Sequence, residues 1–176
     1  LFSSSVMHGS EDKIQGMAVT RKRKLEVAQR SFDLLTRKYG LEPEDIIFDP
    51  LVFPVGTGDA NYIGRALETI EGVRLIKQHL PATKTILGIS NVSFGLPPAG
   101  REVLNAVFLY HNVMAGLDMA IVNAEKLVRY PSIPEEERLL AEDLIHWRGS
   151  DPIAVFAAYF RGKTTGPKRD DRRLLP

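Results

Sequence analysis

The chain contains no cysteine, which excludes disulfide staples and thiolate catalysis. It lacks an excess of either charge. Its 23 Lys and Arg against 22 Asp and Glu leave a formal net charge of +1, too little to create a field for nucleic acid or a membrane surface. Its apolar stretches are too short and too often interrupted to span a bilayer. The start, Leu1-Phe2-Ser3-Ser4-Ser5-Val6-Met7, lacks the basic residues that open a signal peptide. No internal repeat is visible. The four histidines, His8, His79, His111 and His146, show no ligand spacing, so no metal site is expected. These absences lead to the expectation of a cytoplasmic protein with no nucleic-acid or membrane partner. The chain begins on Leu rather than Met, which is compatible with a fragment of a longer protein.

What is present reads as one globular domain. The 176 residues are 44% hydrophobic, enough to bury a core. Three apolar runs each close on a polar residue. Ile46-Ile47-Phe48 closes on Asp49, Ile86-Leu87-Gly88-Ile89-Ser90 on Asn91, and Met119-Ala120-Ile121-Val122 on Asn123. Loop signals and a segment of helical period follow each run, an order that predicts parallel strands with crossover helices. In such folds the C-terminal strand ends share one face, where ligands bind. The three polar residues are therefore expected to meet at one site.

The remaining elements follow from periodicity. Thr20 is expected to cap a helix whose apolar stripe is Leu25, Ala28, Phe32 and Leu35 and which Gly40 stops. The run Arg21-Lys22-Arg23-Lys24 reads as its solvated face. A second helix carries Ile63, Leu67, Ile70 and Ile76; a third carries Val103, Leu104, Val107, Phe108, His111 and Met114. Ser132-Ile133-Pro134-Glu135 matches a capping box, and Asp151-Pro152 opens a last helix. His111 reads as a satisfied core histidine, and Met17 and Met114 as packing residues. Val6-Met7 is the one hint of a strand near the start. The Lys-, Arg-, Asp- and Pro-rich segment 164–176 reads as a disordered tail or linker.

Four segments, in order, carry a resemblance. They are Glu44-Asp-Ile-Ile-Phe-Asp-Pro-Leu-Val-Phe-Pro54, Ile89-Ser-Asn-Val-Ser-Phe-Gly-Leu-Pro97, Asn105-Ala-Val-Phe-Leu-Tyr110 and Gly116-Leu-Asp-Met-Ala-Ile-Val-Asn-Ala124. With Gly16-Met-Ala-Val-Thr-Arg-Lys-Arg-Lys-Leu-Glu26 before them, they resemble the pterin-binding (methyltetrahydrofolate) domain of the cobalamin-dependent methionine synthase family. The resemblance covers residues 14–163 and leaves 1–13 as a divergent N-terminal segment. It implies the second half of a TIM-type (β/α)₈ barrel, since whole barrels take about 250 residues. It further implies a methyltransferase domain that binds 5-methyltetrahydrofolate and passes the methyl to cob(I)alamin on another domain, in methionine synthesis. Partners would then be the cobalamin- and homocysteine-binding domains. The chain is also expected to form a homo-oligomer, since half a barrel leaves strand edges open. The alternatives are a truncated, non-catalytic half-barrel or a related corrinoid-protein methyltransferase.

The resemblance also suggests roles. Asp49 matches a pterin-binding aspartate, whose carboxylate can accept from a ring N–H and an amino group side by side; an Asp before Pro also caps turns. Asn91 matches an asparagine near N5 of methyltetrahydrofolate, where an amide can donate; the plain alternative is an Asx-turn. Arg101 reads either as a pterin contact or as a helix-start surface residue. Asn123 reads either as a site residue or as an N-cap. Ser93 is expected to brace its loop, and Asp118, at the start of its strand, to be structural on the far face. Gly56-Thr57-Gly58 lacks the lysine and third glycine of phosphate loops and reads as a turn.

Overall fold

The computed structural model describes residues 17–163 and, as backbone only, residues 2–3. Four parallel strands form one sheet in the order β1-β2-β3-β4: β1 (Phe2–Ser3), β2 (Ile47–Asp49), β3 (Lys84–Gly88) and β4 (Met119–Ile121). Between them run α1 (Arg21–Asp33), α2 (Arg65–His79) and α3 (Pro98–Met114); α4 (Glu135–His146) and α5 (Pro152–Phe160) follow β4. Phe48 pairs with Thr85, and Ile86 with Met119.

The order of the strands carries information. Each crossover advances to the next neighbour, so crossovers of one hand place their helices on one face of the sheet. Alternation along the strands agrees. Phe48 and Leu87 point into the helical layer and are buried. Met119 and Ile121 point the other way, with Ile121 62% exposed. The larger core lies among β3 and α2 to α5, around Leu87, Leu104, Phe108, Leu144 and Phe156. A smaller one joins Ala28, Ile46, Phe48 and Ile76, with Leu25 and Phe32 of α1, and Leu35 of the π-helical turn Leu34–Lys38 that follows it, packed against it. The predicted stripe thus faces the core, Ala28 buried and the other three half-buried. Among the described residues no helix is long and apolar enough to cross a membrane.

Local signals behave unevenly. Thr20 Oγ1 accepts from the Arg23 amide at 3.3 Å, and Asp151 accepts from the Ala154 amide at 3.0 Å, as expected of caps. The capping box does not form. Pro134 occupies the cap position of α4, and the Ser132 hydroxyl donates to the Arg129 carbonyl instead. Ile63 precedes α2 and is exposed. Met17 and Met114 are exposed rather than packed. The early strand is Phe2–Ser3; Val6 and Met7, His8, the rest of the divergent segment and the tail 164–176 lie outside the described residues.

Asp118 sits at the opposite end of the sheet from the strand C-termini. Its carboxylate accepts from Lys77 Nζ at 3.0 Å, the Thr85 amide at 2.8 Å and the Thr85 hydroxyl at 3.0 Å. These bonds hold its carboxyl below the usual carboxylate range against the opposing effect of burial. The structural role expected of it is the one it has.

Candidate functional site

Asp49 ends β2 on the face away from the helices, half-buried. Its Oδ1 accepts from the Leu51 amide at 3.0 Å, and Oδ2 has no hydrogen-bond partner among the described residues. Burial raises its pKa, while the Leu51 bond and the nearby Lys24 charge lower it; burial prevails. A raised pKa makes the carboxylate a stronger acceptor. The following loop is held from below. Leu51 adopts a left-handed backbone, φ 66°, and its carbonyl accepts from Lys24 Nζ at 3.1 Å and Thr69 Oγ1 at 3.0 Å.

Lys24 overturns the reading of 21–24 as a solvated face. It is 1% exposed, and its Nζ donates to the Pro50 carbonyl at 2.5 Å. Desolvation lowers its pKa to about 7, against the raising effects of Asp49 and Glu68 and with Arg65 adding to the fall. Arg21 is drawn inward too, its guanidinium 2.8 Å from Glu68. A helix-face reading could not anticipate this, because what accommodates the Lys24 stem is Gly72 on α2. A Cβ there would lie 2.6 Å from the Lys24 Cδ.

Asn91 does not close a strand. β3 ends at Gly88, and residues Ile89–Ser93 form a 3₁₀ turn in which Asn91 is exposed. Its side-chain amide has no hydrogen-bond partner among the described residues, so it is open to a ligand. The turn is braced as predicted: Ser93 Oγ donates to the Ser90 carbonyl at 3.1 Å and accepts from Arg101 Nε at 3.2 Å. The glycines of 56–58 have a structural explanation. Gly56 and Gly95 let the loops after β2 and β3 touch, since a Cβ on Gly95 would meet the Gly56 carbonyl oxygen at 2.8 Å.

Asn123 lies two residues past β4. It caps the short turn Ala124–Lys126, its Oδ1 accepting from the Glu125 amide at 3.1 Å. It also lines a cavity of about 430 Å³ with Arg101, Ser90, Glu102, Asn105 and Lys126, over apolar walls from Ile89, Leu96 and Val122. Arg101 and Asn123 are therefore brought together. Asn91 adjoins Ser90 at the rim, and Asp49 lies outside this cavity, on the neighbouring strand β2.

Asn105, which the sequence reading did not single out, lines the same cavity. Its buried Oδ1 has no hydrogen-bond partner among the described residues. The only signal was an amide inside an otherwise apolar run of α3. His111, expected as a satisfied core histidine, is only half-buried, and its Nε2 lies 3.5 Å from Glu142 Oε1 without a hydrogen bond. Among the described residues no group of His, Asp and Glu could hold a metal ion.

Comparison with known proteins adds to this geometry. Residues 4–123 match a family described as pterin binding enzyme, a match that begins inside the segment read as divergent. Methionine synthase of Mycobacterium tuberculosis (strain ATCC 25618 / H37Rv) is 40% identical over 161 residues, covering 90% of this chain and 14% of that protein. Methionine synthase of Mycobacterium leprae (strain TN) is 40% identical over 161 residues, covering 90% of this chain and 13% of its own length. The chain thus spans about 14% of the length of these curated relatives.

Proposed function

This chain belongs to the pterin binding enzyme family and is homologous to methionine synthases, and from that premise we propose that it binds 5-methyltetrahydrofolate and delivers its methyl group to cob(I)alamin in methionine synthesis. In this reading the chain is the second half of a TIM-type barrel. Sequential parallel strands with an uncovered inner face support that, because closure would bury Met119 and Ile121 against the remaining strands. The cobalamin and homocysteine domains, elsewhere in the same enzyme, would be its partners, in the cytoplasm.

The observation that carries the reading is Asp49. Its carboxylate stands at a strand C-terminus, fixed through Oδ1 and, among the described residues, unpartnered at Oδ2. A pterin offers a ring N–H beside an amino group, and the two oxygens can accept one bond from each. Asn91 then supplies the donor near N5. As the methyl leaves, the electron pair of the C–N bond stays on N5, which gains basicity and accepts more strongly from the amide until a proton from solvent takes the methyl's place and gives tetrahydrofolate. Arg101 and Asn123 border the adjoining cavity and would hold the rest of the ligand. Cob(I)alamin supplies the nucleophile when its domain is docked, so this chain needs none; its work is orientation, hydrogen bonding and exclusion of water.

The test is a calorimetric titration of 5-methyltetrahydrofolate into the intact protein and its Asp49→Asn variant. The reading predicts that the variant binds about 10- to 100-fold more weakly, the loss expected of a charged acceptor. Equal affinity, or no binding by the unaltered protein, would overturn it.

A further inference from the structure

Lys24 is buried at a cost that its position does not require. A lysine stem packed against Gly72 could be replaced in volume by methionine without removing a charge from water. What the ammonium provides is a pair of bonds, to the carbonyls of Pro50 and Leu51. The Thr69 hydroxyl, its one proton shared between the Leu51 carbonyl at 3.0 Å and the Arg65 carbonyl at 3.1 Å, adds a second donor to the same Leu51 carbonyl. Leu51 is one of two non-glycine residues with positive φ among the described residues. A residue with a side chain is strained in that region and persists there only where neighbours impose it. Turning Leu51 this way aims its carbonyl down at Lys24 and Thr69 and its amide back at Asp49 Oδ1.

We propose that Lys24, seconded by Thr69, is a positioning residue: it clamps the Pro50–Leu51 backbone from beneath so that the Leu51 amide orients the Asp49 carboxylate toward the pterin. The inference rests on the folate-binding reading of Asp49. It goes further in making affinity depend on two residues that never touch the ligand, one on α1 and one on α2. Both helices lie behind the sheet, so the clamp is set by helix packing rather than by the loop's own sequence.

The experiment is a double-mutant cycle in the intact protein, with 5-methyltetrahydrofolate as the probe. Dissociation constants are measured for the unaltered protein, Lys24→Met, Asp49→Ala and the double variant. If Lys24 acts through Asp49, Lys24→Met weakens binding about tenfold when Asp49 is present and less than about twofold when it is not. Equal weakening in both backgrounds would show a general structural role and overturn the inference, as would unchanged affinity in Lys24→Met. Should Lys24→Met fail to give a cooperative melt, Thr69→Val replaces it in the cycle, since it loses only the hydroxyl, and the same Asp49-dependent loss is expected. Absence of binding by the unaltered protein overturns the folate reading and this inference together. Weakening by Asp49→Ala alone overturns only this inference.

Discussion

Arg101 Nε donates to the Ser93 hydroxyl across 3.2 Å, and its guanidinium lies 5.0 Å from the centre of the Phe94 ring. The first turn of α3 is thereby tied to the loop that carries Asn91. Only part of the guanidinium's donor set is used, so the same side chain can brace the loop and face the adjoining cavity. Arg101 can thus serve as a brace and as a ligand contact, where the sequence offered a pterin contact or a helix-start surface residue.

Arg101→Lys separates them. Lysine keeps the charge but loses the planar fork that reaches Ser93 and Phe94 together. Affinity for 5-methyltetrahydrofolate in the intact protein is expected to fall about tenfold, with folding stability changed by less than about 1 kcal/mol. Titration calorimetry and chemical denaturation read the two. Unchanged affinity would leave Arg101 as a brace alone.

The sequence made the architecture legible because periodicity reports burial directly. The alternation around Phe48 and Leu87 is buried as it predicts, and the stripe Leu25, Ala28, Phe32 and Leu35 faces the core, with Ala28 buried and the other three half-buried. Strand-end polarity pointed to Asp49, which does end β2, but also to Asn91, which lies in the turn after β3, and Asn123, two residues past β4: a polar residue ending an apolar run marks where the chain leaves the core, not where its strand stops. What stayed hidden depends on contacts between distant segments. Lys24 looked solvated until Gly72, 48 positions along the sequence, opened a slot for it. The capping box failed because Pro134 took the cap position, leaving Ser132 to bond backward to Arg129. Asn105 was hidden among the apolar residues of α3.

Lys24 should make folding stability depend on pH above neutrality. Its folded pKa is about 7, against an ordinary 10.5. Between these values the unfolded chain holds a proton that the folded chain has released, so stability rises with pH. The rise is up to about 1.4 kcal/mol per pH unit for one such group. Melting profiles from pH 7 to 9 should show it, and Lys24→Met should flatten it. At the acid end the sign differs by residue. Asp118 and Glu68, both held low, contribute stability that is lost as pH falls below the ordinary carboxylate range. Asp49, held high, opposes that loss. A profile flat from pH 7 to 9 would show that Lys24 keeps its proton.

The segment alone should associate. Its sheet shows Met119 and Ile121 on an uncovered face, and the described residues leave the outer edge of β4 unpaired. Light scattering after size exclusion should give a mass well above 19.6 kDa, and affinity for 5-methyltetrahydrofolate should be weak or absent. A cooperative monomer with micromolar affinity would show that this chain suffices.

The most direct test of the account is single-turnover methyl transfer from 5-methyltetrahydrofolate to cob(I)alamin by the intact protein carrying Asn91→Ala, measured beside equilibrium binding. A hydrogen bond that strengthens only as N5 gains basicity changes turnover more than affinity. The account predicts a rate lower by about 10²–10³, the loss typical of one transition-state donor, with binding weakened by far less. A single-turnover rate left intact, with binding alone loosened, would contradict it and reduce Asn91 to one more anchor for the pterin.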